Sequence, residues 1–172
     1  MIARPKLIVA KNVRSRKSTP MPDEIRVDLR PITRENWEVA VELQVREDQC
    51  SFVAPNVYSI AESKFYPEMT PLGIYLGDKM VGFTMYGYNE EDSEWWVIRL
   101  MIDAAHQGKG YGRAAMREVI QRISQRPDCD AILVSFEPHN HPAEALYSSL
   151  GFEHTGRIEE GELVLRLRMR SS

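Results

Sequence analysis

Leu100-Met101-Ile102-Asp103-Ala104-Ala105-His106-Gln107-Gly108-Lys109-Gly110-Tyr111-Gly112-Arg113 is an apolar run, a short polar turn and three glycines at alternate positions that open a helical segment. Glycines at 108, 110 and 112 let the backbone approach a ligand closely and take dihedrals that a Cβ forbids. The helix that follows offers unpaired N–H groups at a positive dipole end. The stretch therefore reads as an anion-binding loop, with a phosphate or pyrophosphate as its natural guest. Lys109 and Arg113 add positive charge at the same place, Arg113 as a two-pronged donor and Lys109 as a point charge. A glycine-rich strand-to-helix turn without a ligand is the plainer alternative.

Two other glycine loops fail on spacing. The dinucleotide fingerprint G-x-G-x-x-G, counted from Gly108 and Gly110, needs a third glycine where Arg113 stands. The Walker loop needs Gly-Lys-Ser/Thr, and Lys109 is followed by Gly110. The pattern present is Gln/Arg-x-x-Gly-x-Gly/Ala, as Gln107-Gly108-Lys109-Gly110-Tyr111-Gly112, between a strand expected over Glu94 to Ile102 and a helix expected over Arg113 to Ser124. It resembles the acetyl-CoA loop of the GNAT N-acetyltransferases.

Upstream of the loop, Ile25, Val27 and Leu29 alternate with Arg26, Asp28 and Arg30, which predicts a half-buried strand over Glu24 to Pro31. Thr33 is the expected N-cap of a first helix, with Asn36 where a capping-box acid would stand. The stripe Trp37, Ala40, Val41, Gln44 and Val45 carries that helix to about Arg46. Ser59 is expected to cap a second short helix through about Phe65. Leu72 to Leu76 and Lys79 to Tyr88 read as two strands joined at Gly77-Asp78, a tight hairpin signal. Downstream, Ala131 to Phe136 is apolar almost throughout, as a buried central strand is. Pro142 and Gly151 bracket a short helix, and Glu162 to Met169 is a closing strand. The order is β-α-α-β-β-β-α-β-α-β-β, a mixed α/β (α+β) fold in one domain over 23–172.

That order also resembles the GNAT fold, and Asn140-His141-Pro142-Ala143-Glu144-Ala145-Leu146-Tyr147-Ser148-Ser149-Leu150-Gly151-Phe152 matches a second GNAT motif, N-x-x-A-x-x-L-Y-x-x-L-G-F. The resemblance covers about residues 25 to 169. It implies a mixed, mostly antiparallel sheet splayed at its central strands, with flanking helices. It places acetyl-CoA, the cosubstrate, between the strand ending at Ile102 and the strand ending near Phe136. Leu100, Met101 and Ile102 would hold the pantetheine arm, and Gln107 to Arg113 the pyrophosphate.

Acetyl transfer to an amine needs three things: loss of the amine proton, stabilisation of the oxyanion, and protonation of the departing thiolate. By the resemblance, Tyr147 points its hydroxyl at the sulfur and is the candidate general acid. With a reference pKa of about 10 it holds its proton at neutral pH. An aromatic on the buried face of a helix is the other reading. Asn140 lies seven residues earlier, close to two helical turns, so both can face the cofactor; it also fits a plain N-cap. Members of the family often carry a Glu on the strand before the loop, but Trp95-Trp96-Val97-Ile98 stands there. Glu94 is the nearest carboxylate, a candidate base acting through water or an exposed strand-end acid. The amine can also lose its proton to solvent.

The acceptor amine is read from acids and aromatics. Glu47 and Asp48 lie between the first two helices, and Glu90, Glu91, Asp92 and Glu94 precede the loop strand. Trp95, Trp96, Phe52, Tyr86 and Tyr88 offer aromatic faces. Spaced carboxylates suit the ammonium groups of a polyamine and aromatics its methylenes. The run from Gln44 to Asn56 followed by Ser59, together with Arg99 to Asp103, resembles the bacterial spermine/spermidine acetyltransferases. The alternatives are a solvated acidic face, a GNAT enzyme for another amine (a protein N-terminus, an amino acid or an antibiotic), and a non-catalytic acyl-CoA sensor.

Composition bounds these readings. The 172 residues carry a net charge of −3, but residues 1–22 hold six basic side chains and no acid, so the remainder carries −9. A domain this acidic repels nucleic acid and attracts cationic ligands. The basic segment reads as a disordered or non-native extension, with Met21 near the natural start. No apolar run approaches a membrane span. Cys50 and Cys129 form no C-x-x-C pair, and His139 and His141 have no third ligand type beside them, so neither a disulfide scaffold nor a metal site is expected. These features suit a cytoplasmic protein whose partner is a small amine, and leave a homodimer open.

Overall fold

Period-two alternation lays down the sheet. The computed structural model describes residues 25–169, and the expected extension over residues 1–22 lies outside them. Among the described residues seven strands, β1 (Asp28–Pro31), β2 (Met69–Leu76), β3 (Lys79–Asn89), β4 (Glu94–Ile102), β5 (Ala131–Phe136), β6 (Glu153–Glu159) and β7 (Glu162–Arg168), form one sheet. Their order is β1-β2-β3-β4-β5-β7-β6. The helices are α1 (Trp37–Glu42), α2 (Asn56–Glu62), α3 (Tyr111–Ser124) and α4 (His141–Ser148), so the element order is the one expected. Every neighbouring pair is antiparallel except β4 and β5.

Each face of the sheet carries its own core. On one face Val27, Leu29, Val97, Ile132, Val134 and Leu165 meet Ala115, Val119 and Ile123 of α3, a four-residue spacing that gives the helix one apolar stripe. On the other, Phe83, Met85 and Met101 pack under Ala40 of α1 and Ile60 of α2. Burying each such large side chain contributes about 1.5–3 kcal/mol. Arg122 ties α3 to the sheet edge by donating to the Leu29 carbonyl at 2.7 Å. No helix among the described residues is long and apolar enough to cross a membrane.

The centre of the sheet opens. β4 and β5 pair only through Trp95, Trp96 and Val97 with Ile132, Leu133 and Val134. Beyond Val97 each strand keeps only its outer neighbour, β3 for β4 and β7 for β5. The register between β3 and β4 shifts at the same level: Tyr86 faces Val97 while Met85 faces Arg99, which leaves Ile98 as an extra residue. A bulge bends its strand, and this one lies where β4 leaves β5.

The ends of several expected elements move; β2 begins at Met69, ahead of Leu72, and α3 at Tyr111, ahead of Arg113. β1 begins at Asp28 because its ladder runs from Asp28–Tyr75 to Pro31–Leu72 and β2 goes no further than Leu76. The capping chemistry of Thr33 and Asn36 forms, with Thr33 N–H donating to Asn36 Oδ1 at 2.7 Å and Glu35 N–H to Thr33 Oγ1 at 3.2 Å, but it closes a turn ahead of α1. That helix stops at Glu42, not near Arg46. Gln44 is captured instead by the loop after β4, its N–H donating to Asp103 Oδ1 and its carbonyl accepting from Ala104 N–H at 2.7 Å. Ser59 is no cap: α2 starts at Asn56, whose side chain donates to the Ala40 carbonyl at 2.8 Å, and Ser59 is fully buried within the helix.

Candidate functional site

The opened strands line a continuous groove of about 1480 Å³. One side is the loop singled out by its glycines. Asp103 caps a single 3₁₀ turn, its carboxylate accepting from the N–H groups of Ala105 and Gln44 (3.2 Å each) and contacting His106 Nδ1 at 3.1 Å. Burial opposes ionisation of Asp103, but these donors outweigh it and hold the carboxyl below its ordinary value. Gln107 donates to the Ile102 carbonyl and to Gln49 Oε1, which fastens the turn to the opposite loop. Gly108 (φ +74°) and Gly110 (φ +81°) are left-handed, and Gly110 caps α3. Gly112 is not in that region: a Cβ there would meet Ile102 and Leu146 at ordinary contact distances. Its missing side chain leaves the groove floor open to a ligand.

The first intrahelical bond of α3 runs from Ala114 N–H to the Gly110 carbonyl, so the amides of Tyr111, Gly112 and Arg113 precede the helical ladder. All three residues line the groove, as do Gln107, Gly108, Gly110 and the strand residues Leu100, Met101 and Ile102. Lys109 departs from expectation. Its ammonium donates to the Ala105 carbonyl at 3.1 Å and the residue is not part of the groove wall, because the left-handed glycines on either side turn its side chain back over the loop. Arg113 is the cation that remains at the anion end. This array fits a pyrophosphate: consecutive amides at a helix N-terminus, an arginine beside them, and left-handed glycines that shape the turn.

Tyr147 reaches the groove from α4. It is 7% exposed and packs against Phe136 and Phe152, with ring centroids 6.1 and 5.7 Å away. Burial, with a smaller contribution from the Glu162 charge, pushes its pKa up to about 12. The reading of Tyr147 as a buried aromatic holds, and the residue also belongs to the groove lining. Asn140 is the N-cap, its Oδ1 accepting from Ala143 N–H at 3.2 Å, and it also lines the groove.

The three expected substrate-binding residues, Trp95, Glu47 and Asp48, are not brought there. Trp95 is 8% exposed and stacked against Tyr88 and Tyr86 in the α3-side core; alternation along β4 sends Trp96 to the groove in its place. Glu47 and Asp48 are exposed, Asp48 pairs with Arg46, and their loop presents Gln49, Ser51 and Phe52 to the groove. Glu94, the candidate base, does not line the groove either, and its charge is committed. One carboxylate oxygen accepts from Arg157 at 2.9 Å and the other from Arg166, so two cations hold the charge that a base would need to give up. Arg157 also pairs with Asp92 and Glu159.

The carboxylates that do line the groove are Glu62, Glu68, Glu90, Glu91, Glu159, Glu160 and Glu162, with Phe52, Tyr66, Tyr88 and Trp96 among them. Arg99, next to the bulge, pairs with Glu62 at 3.4 Å. Ser135, the first β5 residue past the last β4 pair, donates to Glu162. Glu62, Ser135 and the 159–162 turn were not marked in the sequence, and Arg99 was noted only as the start of the Arg99 to Asp103 stretch; side chains drawn from separate elements leave no local pattern.

Comparison with known proteins follows this geometry. The sequence matches the acetyltransferase (GNAT) family model over residues 28–152. A spermine/spermidine N(1)-acetyltransferase of Bacillus subtilis (strain 168) is 29% identical over 146 residues, covering 81% of this chain and 96% of that protein. Two solved structures share the fold. A spermidine N-acetyltransferase from Vibrio cholerae, in complex with CoA and spermine, superposes with a TM-score of 0.66 at 16% identity, covering 82% of this chain and 93% of that one. An aminoglycoside acetyltransferase in complex with coenzyme A gives 0.70 at 18%, covering 83% and 94%.

Proposed function

This chain belongs to the GNAT acetyltransferase family, and we propose that it transfers the acetyl group of acetyl-CoA to a primary amine of a polyamine such as spermine or spermidine. Acetyl-CoA supplies an activated acyl group on a thiol leaving group. The Tyr111 to Arg113 amides and the Arg113 guanidinium take the pyrophosphate, and the β4 edge past Val97, free of β5, takes the arm as an added strand would be taken. Tyr147 serves as the proton donor to sulfur. A phenol pushed up to about 12 keeps its proton across the neutral range and gives it up only as negative charge develops beside it.

The observation that carries the substrate reading is the carboxylate wall. Glu62, Glu68, Glu90, Glu91 and the acids of the 159–162 turn border the groove, with Trp96, Tyr88 and Phe52 between them for methylene stems. The 29% identical relative named for spermine and spermidine supports the same reading. Exposed ion pairs contribute only about 0.2–1 kcal/mol each, so the preference for a polyamine comes from several at once. A thiol-release assay with acetyl-CoA tests it across spermine, spermidine, a monoamine of similar reach, an aminoglycoside and a peptide with a free N-terminus. The expected result is the highest kcat/KM for spermine or spermidine, weakening as salt rises because the screening length is then only about 8 Å. Equal rates for spermine and the monoamine remove the polyamine reading and leave the acetyltransferase.

A further inference from the structure

The proton of the attacking amine has no assigned acceptor, and four carboxylates in or beside the groove are held by cations. Glu94 is paired with Arg157 and Arg166, Asp92 and Glu159 with Arg157, and Glu62 with Arg99. Glu68, Glu90, Glu91, Glu160 and Glu162 make no ion pair among the described residues, and of these Glu162 is the one whose carboxylate takes a side-chain hydrogen bond, from the Ser135 hydroxyl. Resting on the acetyltransferase reading above, we propose that Ser135 and Glu162 form the proton-accepting pair of the reaction, the amine donating to Ser135 Oγ while the serine proton passes to Glu162.

The sheet places this pair opposite the proton donor. Ser135 faces Val164 in the β5–β7 ladder, and two residues along β7 on the same face is Glu162, a diagonal neighbour within reach. Phe136 follows Ser135 and points the other way, into the aromatic cluster that holds Tyr147. Acceptor and donor thus flank the end of β5 from opposite faces of the sheet, at the level where β4 has left and the groove is open. Both belong to its lining, and the Glu162 charge is felt at the Tyr147 hydroxyl. The other charges around Glu162 are Glu159, its partner across the β6–β7 ladder, and Glu160 in the turn, with Arg166 further along β7 turned to Glu94.

The step balances. The ammonium proton moves to Ser135 Oγ as the serine proton moves to Glu162, which frees the lone pair to form the N–C bond as the carbonyl π pair moves to oxygen. On collapse that pair re-forms the carbonyl and the C–S pair leaves on sulfur. The second N–H proton goes to water, and the Tyr147 proton goes to sulfur. Exchange with water returns a proton to Tyr147 and removes one from Glu162, so the net products are the amide and the thiol.

Glu162→Gln tests this, with acetyl-CoA and spermine at varied pH and CoA-induced thermal stabilisation as the check on fold and cofactor binding. Expected is a kcat lower by about 10² to 10⁴-fold with nearly unchanged KM values. The neutral plateau of the wild-type profile is expected to give way to a rate that climbs towards the amine's own pKa near 10.4. Ser135→Ala is expected to show the same change of profile with a smaller loss, and Ser135→Thr to restore activity; these two carry the test if Glu162→Gln does not fold. Unchanged kcat and profile overturn the proposal. So does a raised KM for spermine at normal kcat, which would make Glu162 one more carboxylate of the substrate wall. The underlying reading fails separately, and the proposal with it, if the wild type binds CoA but releases no thiol with any amine.

Discussion

The glycine loop and the carboxylate wall border one groove and are built on opposite scales of sequence. Residues 103–113 are contiguous, and their shape is locked locally by the Asp103 cap and by two left-handed glycines. The wall takes Glu62 from α2, Glu68 from the approach to β2, Glu90 and Glu91 from the β3–β4 turn, and Glu159, Glu160 and Glu162 from the β6–β7 hairpin. A site made from consecutive amides has no redundancy, so one substitution should remove it. A site made from scattered exposed charges is a sum of small terms, and its response to substitution should be graded.

The largest effect expected from that contrast is at Gly110. Gly110→Asp sets a negative charge before the amides a pyrophosphate needs, and because the left-handed backbone (φ +81°) strains any Cβ, thermal unfolding of the variant is read beside the titration to separate lost binding from lost fold. Losing two or more charge-assisted hydrogen bonds at about 1.5–3 kcal/mol each predicts CoA affinity lower by roughly 10³-fold. Calorimetric titration reads it, and an unchanged Kd breaks the loop assignment. Next is Tyr147→Phe, expected to lower kcat by about 10² to 10⁴-fold with CoA binding retained. The tyrosine also has a pH signature. Its folded pKa of about 12 lies above the unfolded value near 10, so its contribution to stability is full below pH 10 and is lost as pH rises towards 12. Alkaline unfolding should show that loss in the wild type and lack it in Tyr147→Phe, and turnover should show no decline from this group below pH 10.

The wall is expected to respond less. Glu90→Lys with Glu91→Lys should raise the KM for spermine about tenfold and barely alter that for acetyl-CoA, since roughly 1.4 kcal/mol is within reach of a few exposed pairs. Reversing Glu47 and Asp48 in the same way should leave spermine kinetics nearly unchanged, because neither residue borders the groove. Equal effects from the two double reversals would sink the distinction. The smallest change expected is in stability: Asp103→Ala removes a cap shared by the loop and Gln44 and should cost about 0.5–2 kcal/mol by denaturant titration. That contribution is full above the ordinary carboxylate range and is lost as pH falls through the depressed pKa of Asp103. A wild-type margin over Asp103→Ala that does not shrink in acid would contradict it.

The element order, the hairpin at Gly77-Asp78, the strand leading into the glycine loop and the helix after it were all legible in the chain, as were the groove-lining roles of Gln107, Gly110, Arg113 and Tyr147. These depend on interactions within a few residues: period-two alternation, a glycine where φ is positive, a proline and an asparagine at a helix start. What depended on distant neighbours was not legible. The Gln44 backbone ends α1 early only because the Asp103 turn, far along the chain, offers it partners. The bulge at Ile98 and the exchange of Trp95 for Trp96 follow from strand register, which no local pattern prints, and the parting of β4 from β5 was expected from the family resemblance alone. The acids sort themselves the same way. Glu94 is neutralised by arginines of β6 and β7, while Glu162 is left with a serine, because tertiary folding alone decides which charges meet, and a carboxylate's chemistry belongs to its neighbours rather than to its place in the chain.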